Sequence, residues 1–314
     1  MKQDIIPPID RELLQSELTE DKFLRYTNKG GNLLYVLNHH NSPNIMLEVG
    51  RLREEAFRNA GGGTGKSADI DTYDKSKQGF DQLIVWDPED LEIVAGYRLM
   101  RCDKAEKDTN GRIITATSHL FNLSDAFYDK YLPYTIELGR SFVQTKYQSR
   151  SSRKGVFSLD NLWDGLGAVV LQNPEIKYLF GKVTMYPSYD VEARNWILSF
   201  MNHFFPDKEG LASPIDPVIS LDRLAPYKKN FEGLSYKEAL QKLGKFVKEK
   251  GESIPPLINS YMNLSSTMKT FGTAPNDEFG AVEETGILVT IADIYDAKKE
   301  RHLDTFEKDR SYKG

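Results

Sequence analysis

Apolar side chains recur at helical spacing in several segments of the chain. Within residues 45–58, Met46, Val49 and Leu52 follow the helical period, which predicts a helix that ends at the glycine-rich breaker 60–65. Further helical patterns occupy residues 158–172, 189–204 and 234–250, the last rich in lysine, and a mixed stretch over 10–26.

Short apolar runs predict strands between these helices. Residues 82–86 and 92–100 flank an Asp-Pro-Glu-Asp turn, which predicts a β-hairpin. Further strands are predicted over 134–143, 178–185 and 286–292. Because hairpin strands come first and strands then alternate with helices, we expect an α/β fold with a mixed central sheet and helices on both faces. The charged stretch 296–314 is expected to fray.

Composition narrows the class of protein. The 314 residues are 39% hydrophobic and 28% charged, which is typical of a globular chain with a sizeable core. No apolar run reaches the roughly 18 residues of a membrane span, and the opening MKQDIIPPID lacks the apolar segment of a secretory signal. Cys102 is the sole cysteine, and the net charge is −5. We therefore expect a cytoplasmic protein for which nucleic acid is not a partner.

The segment AGGGTGKS at residues 60–67 nearly spells the phosphate-binding loop of nucleotide hydrolases. That loop needs a strand before it and a helix after it, so that backbone N–H groups surround the phosphates. Here a predicted helix comes first, and the acidic run DIDTYD at 69–74 follows. The sequence therefore favours a mobile glycine-rich loop, of the kind that often covers active sites.

Candidate functional side chains lie in four separated segments. They are Arg53, Phe57, Asp71, Asp74, Arg98, Glu137 and Arg140. Each alone is consistent with a surface residue or ion pair, but charges within the apolar strand TIELGRSFV need partners if they are buried. Residues three apart on a regular strand face opposite sides, so Glu137 and Arg140 share a site only through a bulge, which Gly139 would allow.

In this order, the motifs Arg-x-x-x-Phe, Asp-x-x-Asp, Gly-x-Arg-Leu and Glu-x-x-Arg-x-x-Val resemble the acyl-homoserine-lactone synthases, a family related to the GNAT acyltransferases. The stretches YTIELGRSFVQ, LDNLWDGLGAVV and IPPLINSYMNL resemble more closely the GNAT-like group labelled hemolysins. That group includes the N-acyltransferases that make lyso-ornithine and lyso-glycine lipids. The resemblance implies a GNAT-like core over 45–206, a helical arm over 1–44, and an extension over 207–314 that contributes the lysine-rich helix and the late strand.

The resemblance also implies a reaction. An N-acyltransferase would move a fatty acyl chain from acyl carrier protein to the amine of a glycine- or ornithine-type amino acid. The phosphopantetheine thioester of the carrier, or acyl-CoA, would be the co-substrate, with no cofactor bound permanently. The tryptophan that follows the phenylalanine in the lactone synthases is missing, which argues against a lactone product. The usual GNAT phosphate loop is also missing, which weakens the case for free acetyl-CoA.

The resemblance assigns roles to the candidate residues. Glu137 would be the general base, because the amine must be neutral when it attacks. Arg98 and Arg140 would bind the substrate carboxylate or hold Glu137 and the aspartates in place. Asp71 and Asp74 would bind the incoming ammonium group, with Arg53 and Phe57 also at the substrate. Two alternatives stay open, an acetyltransferase that uses acetyl-CoA and an acyl-binding protein without catalysis.

Basic segments suggest partners. The run 146–154 contains no acid, and its cations are Lys146, Arg150, Arg153 and Lys154. Acyl carrier protein is acidic, so this run is either its docking patch or a solvated basic loop. The lysine-rich helix predicted over 234–250 either lies on the inner face of an anionic membrane or packs as an ordinary surface helix. Because the histidines do not cluster, we predict no catalytic metal.

Overall fold

The structure, a computed structural model, describes residues 2–148 and 155–306. The helices in these residues are α1 (Arg11–Ser16), α2 (Pro43–Asn59), α3 (Thr72–Lys75), α4 (Asp125–Lys130), α5 (Ser158–Gln172), α6 (Val191–Phe204), α7 (Leu221–Lys228), α8 (Tyr236–Glu249), α9 (Pro256–Met262) and α10 (Asp296–His302). The strands are β1 (Phe23–Tyr26), β2 (Leu33–Leu37), β3 (Asp81–Asp87), β4 (Glu92–Arg101), β5 (Phe121–Leu123), β6 (Thr135–Val143), β7 (Tyr178–Met185), β8 (Ala212–Pro214), β9 (Lys269–Asn276) and β10 (Val282–Thr290).

A mixed sheet runs through the described residues in the order β1-β2-β3-β4-β6-β7-β10-β9. Strands β3 and β4 form the predicted hairpin. Strands β6 and β7 are parallel, pairing residues 135–138 with 178–181, while the other neighbours are antiparallel. The parallel pair is joined by a crossover through α5, the connection that parallel strands require.

Helices cover both faces of the sheet, as expected. On β3, Leu83 packs in the cluster that holds α5 and α6, while its neighbour Ile84 packs in the cluster that holds α2. This alternation follows from the two-residue period of a strand. Helix α5 lies close to β3, since a Cβ on Gly165 would come within 2.7 Å of a Leu83 methyl carbon.

The helical prediction for residues 10–26 and the helical arm over 1–44 are corrected. Helix α1 ends at Ser16, and β1 and β2 then form the edge of the sheet beside β3. Gly30 and Gly31, between β1 and β2, have φ values of +91° and +69°, which glycine adopts without strain. Strand β9 was also missed. The boundaries at 44 and 206 stay predictions, although strands from all three segments join one sheet.

Residues 296–306 are folded, contrary to the expected fraying, while residues 307–314 lie outside the described residues. Within the described residues, α10 packs on α5, where His302 is buried with Nδ1 2.7 Å from Asp164 Oδ1. Helix α8 buries Leu243 and Val247, and its Phe246 ring stacks on Trp196 at 3.9 Å, so its apolar face packs on α6. None of the described helices is long and apolar enough to span a bilayer.

Candidate active site

A network of buried ion pairs joins α2, α3 and β4. Arg53 is 0% exposed, and its Nη1 lies 3.3 Å from Asp74 Oδ2 while its Nη2 donates to Gln82. Arg98 Nη1 lies 2.7 Å from Asp71 Oδ2 and 3.6 Å from Asp74 Oδ1. The structure thus brings together four of the residues that the sequence singled out, and their charges offset one another.

The Asp-x-x-Asp motif is a helix cap. The carboxylate of Asp71 accepts from the backbone N–H of Asp74, and that of Asp74 accepts from the backbone N–H of Asp71, at 3.0 and 3.1 Å. This reciprocal capping box orients both carboxylates. Burial acts to raise the pKa of Asp71, but Arg98 and Arg140 outweigh it and hold that pKa well below its usual range. The aspartates therefore act here as counter-ions for the arginines.

Strand β6 carries the bulge on which the site depends. Gly96 pairs with Phe142 while Arg98 pairs with Gly139, so β6 has one residue more than β4 across this interval. The bulge contains Arg140, whose φ of +50° is a left-handed conformation. A Cβ on the neighbouring Gly139 would lie 3.2 Å from Arg98 Nε, so a larger residue there would push the Arg98 side chain aside by a few tenths of an ångström. Because of the bulge, Glu137 and Arg140 line one pocket, although residues three apart on a regular strand would face opposite sides.

The pocket is small and strongly charged. It has a volume of about 60 Å³. Its lining includes Phe57, Arg98, Glu137, Arg140, Lys182 and Glu284. Arg140 extends over the Phe279 ring at 3.9 Å, with Nε 2.8 Å from Asp69 Oδ2. Of the predicted residues, Arg53, Asp71 and Asp74 lie outside this lining, and their predicted contact with the substrate stays a prediction.

Glu137 is fixed by the loop between β4 and β5. Its Oε2 accepts from the backbone N–H of Ala116 at 2.9 Å, and its Oε1 accepts from Thr117 Oγ1 at 2.6 Å. The residue is 1% exposed. A carboxylate has about four acceptor positions, so Glu137 can still accept a proton or hydrogen bond from the pocket.

The pocket residues that the sequence did not single out include Tyr97, Lys182 and Glu284. Lys182 and Glu284 are charges inside the apolar strands β7 and β10, the same pattern that identified Glu137, and it would have found them. The Tyr97 hydroxyl lies 3.0 Å from that of Tyr261, and burial raises the pKa of both phenols.

A larger apolar groove adjoins the pocket where β6 and β7 diverge. The two strands pair only as far as Leu138 and Gly181, so the rest of β6 has no strand partner on that side. The groove has a volume of about 490 Å³. Its apolar lining includes Ala56, Phe142, Val143, Leu159, Pro256 and Tyr186. Phe57, Ser141, Thr184 and Leu257 line both the groove and the pocket.

The glycine-rich loop wraps a carboxylate of its own chain. Glu54 of α2 accepts from Thr64 N, Thr64 Oγ1 and Gly65 N at 2.7–3.0 Å. Arg58 donates to the carbonyl oxygen of Lys66 at 2.7 Å. These hydrogen bonds hold the loop against α2. The backbone N–H groups that would have to bind a phosphate donate to Glu54 instead.

The predicted docking patch is described only in part. Lys146 Nζ lies 3.2 Å from Asp90 Oδ2 and 3.1 Å from Glu92 Oε2, so its charge is largely offset. Arg150, Arg153 and Lys154 lie outside the described residues.

Comparison with known proteins identifies the family to which the chain belongs. The chain is 51% identical over 311 residues to a glycine N(alpha)-acyltransferase of Phocaeicola vulgatus, covering 98% of this chain and 94% of that protein. It is 52% identical over 305 residues to a glycine N(alpha)-acyltransferase of Bacteroides thetaiotaomicron, covering 97% and 90%. The chain belongs to the family of these N-acyltransferases. An acetyltransferase (GNAT) domain matches residues 52–157.

The predicted GNAT fold and acyltransferase activity are thereby confirmed. Among solved structures, the chain is similar to a CoA-dependent acyl-homoserine lactone synthase, BjaI, with a TM-score of 0.40 and 13% identity over 90% of this chain and 92% of that one. As an N-acyltransferase, the enzyme moves an acyl group to an amine.

Proposed function

We propose that this N-acyltransferase moves a fatty acyl chain from a thioester carrier to the amine of glycine and forms an N-acylglycine lipid precursor. The observation that carries the proposal is the junction of a small charged pocket of about 60 Å³ with an apolar groove of about 490 Å³. The pocket suits a small amino acid better than ornithine, and the groove suits an acyl chain on its pantetheine arm. The names of the two relatives point to the same acceptor.

In the proposed reaction, the amine nitrogen attacks the thioester carbon, so an N–C bond forms and the C–S bond breaks. Glycine enters as an ammonium ion, so Glu137 first takes one proton, directly or through a water, and releases it to solvent. After the neutral amine has attacked, Glu137 takes the second proton from the nitrogen and returns it to the sulfur, which leaves as the thiol. Arg140 binds the glycine carboxylate, since its guanidinium lines the pocket. Backbone N–H groups of β6 beyond Leu138 are the candidate donors to the thioester oxyanion, because that edge has no strand partner.

Acyl carrier protein is the proposed donor, on the strength of the acid-free basic run that includes Arg150, Arg153 and Lys154. Lys146 adds little, because Asp90 and Glu92 offset its charge. A cytoplasmic reaction near the inner face of the membrane, with the exposed lysines of α8 turned to anionic lipid, would suit a lipid product.

The deciding experiment is mass spectrometry of the products formed from matched donors. The purified enzyme is incubated with palmitoyl acyl carrier protein or palmitoyl-CoA, and with glycine or ornithine. We expect N-palmitoylglycine as the main product, made faster from the protein carrier. Acetyl-CoA should be a poor donor. Efficient acetylation with no use of long acyl chains would reject the proposal in favour of the acetyltransferase alternative.

A salt series separates the carrier from coenzyme A. Exposed opposite charges are screened within about 8–10 Å at physiological salt, so the KM for the protein carrier should rise with ionic strength. Exchange of Arg150 and Arg153 for Glu should mainly slow association and leave single turnovers at saturating carrier little changed. Equal use of both donors, with no salt effect specific to the protein, would reject the docking patch.

A further inference from the structure

Glu284 is a buried carboxylate that faces the pocket from β10. The residue is 4% exposed, and within the described residues its Oε2 accepts no hydrogen bond. Lys182 Nζ lies 3.6 Å from Oε2, which is an ionic contact but too long for a hydrogen bond. A buried carboxylate that lacks donors is costly to maintain. The pocket therefore offers an unfilled acceptor position at this oxygen.

Glu137 and Glu284 differ in the hydrogen bonds that their carboxylate oxygens accept. Both oxygens of Glu137 already accept hydrogen bonds, from Ala116 and Thr117. Lys182 links the two carboxylates, because its ammonium group donates to Ala116 O at 3.1 Å and to Thr117 Oγ1 at 3.3 Å while it faces Glu284. One carboxylate is thus held by protein donors, and the other is left for a donor that enters the pocket.

Neighbouring elements surround Glu284 on the sides away from the pocket. Tyr186 and Lys182 have charge interactions with Glu284 from the β7 side, and His119 has one from the loop between β4 and β5. Its antiparallel partner on β9 is Ala274, which has no polar side chain. The adjacent Glu283 pairs instead with Arg194 of α6. The pocket, which Glu137 also lines, is the side from which an entering donor can approach Glu284.

We propose that Glu284 binds the ammonium group of the acceptor amino acid and directs its nitrogen towards Glu137. An ammonium group has three N–H donors, so one can bind Glu284 Oε2 while another faces Glu137. Glu137 takes that proton first, and the neutral amine then attacks the thioester. This inference rests on the proposed function and adds to it the residue that selects a charged primary amine.

The test is Glu284→Gln, which keeps the shape of the side chain and removes its charge. Glu283→Gln is the matched control on the neighbouring position. We expect the KM for glycine to rise by about 10–100-fold in Glu284→Gln, the effect of losing a hydrogen bond between charged groups. The KM for the acyl donor and the midpoint of thermal unfolding should stay close to wild type. Glu283→Gln should keep the wild-type KM for glycine.

A second measurement does not depend on folding of the variant. Methylammonium chloride has the ammonium group but no carboxylate, so it should inhibit the wild-type enzyme competitively against glycine. Absence of competition would overturn the proposal. In Glu284→Gln the inhibition constant should rise by the same factor as the KM for glycine.

Other results separate the proposals. An unchanged KM for glycine in Glu284→Gln, with a lower kcat that recovers at high pH, would make Glu284 the proton acceptor and overturn its role as anchor. A fully wild-type Glu284→Gln would overturn the inference alone. A wild-type enzyme that acylates no glycine from any thioester would overturn the proposed function itself.

Discussion

Arg98 Nη1 lies 2.7 Å from Asp71 Oδ2, and this contact ties the strand beside the pocket to the segment that follows the glycine-rich loop. The same guanidinium lies 4.6 Å from the centre of the Phe80 ring. Burial acts to lower the pKa of Arg98, but Asp74 and Asp71 outweigh it and raise that pKa. Arg98 thus stays charged in a buried position because of its counter-ions, and its own position fixes the wall of the pocket next to Gly139.

Glu137→Gln should abolish most of the activity without unfolding the protein. Gln keeps the side-chain shape but cannot take the proton of the amine, so turnover should fall by about 10²–10⁴-fold. Its side chain can still accept from Ala116 N–H or Thr117 Oγ1. Single-turnover kinetics with saturating acyl donor and glycine measure the effect, and donor binding should be normal. Near-wild-type turnover would show that Glu137 is not the base.

Arg53→Met should destabilise the fold strongly. Removal of this guanidinium leaves the Asp74 carboxylate, itself 1% exposed, with less compensation for its buried charge. Loss of one partner of a buried ion pair costs about 3–5 kcal/mol.

Urea denaturation measures the change in the free energy of unfolding, and Arg112→Met is the control. Arg112 pairs with Asp125 on the surface, where ion pairs contribute about 0–1 kcal/mol. Equal effects of the two substitutions would contradict the account of the buried network.

The depressed pKa of Asp71 predicts a loss of stability in acid. A carboxyl group whose pKa is lower in the folded than in the unfolded state contributes stability above its unfolded pKa of about 3.9. That contribution is lost as the pH falls through the folded pKa. The free energy of unfolding should therefore fall steadily below about pH 5. In Asp71→Asn the slope between pH 5 and pH 2 should be shallower, and in Arg98→Met likewise. An unchanged slope in Asp71→Asn would assign the acid sensitivity to other carboxyls.

Lys66→Ala should leave activity and stability unchanged. The Lys66 side chain is exposed, and only its backbone oxygen is used, by Arg58. By contrast, Glu54→Gln should destabilise the loop by about 1–3 kcal/mol, because three donors of the loop converge on that carboxylate. Calorimetry should detect no ATP binding by the wild-type protein. ATP binding that disappears in Lys66→Ala would restore the phosphate-loop interpretation.

The sequence identified part of the pocket because some constraints are local. Charges within the apolar run of β6 had to be satisfied, and the three-residue spacing of Glu137 and Arg140 required a bulge if both were to share a site. The structure contains that bulge, at Arg140. The helical period likewise located α2, α5, α6 and α8 to within a few residues. Each of these inferences depends on residues that are close together in the chain.

Only the tertiary structure decided which distant residues meet. Strands β1, β2 and β9 became parts of the sheet through pairing with neighbours, which no local period reveals. The charges of Lys182 and Glu284 were visible in the sequence, but their contact exists because β7 and β10 are adjacent. The sequence suggested that Asp71 and Asp74 bind an ammonium group or form a solvated turn, and only the fold shows that Arg53 and Arg98 lie against them. Periodicity reports near neighbours along the chain, whereas charge compensation depends on distances that only the folded backbone sets.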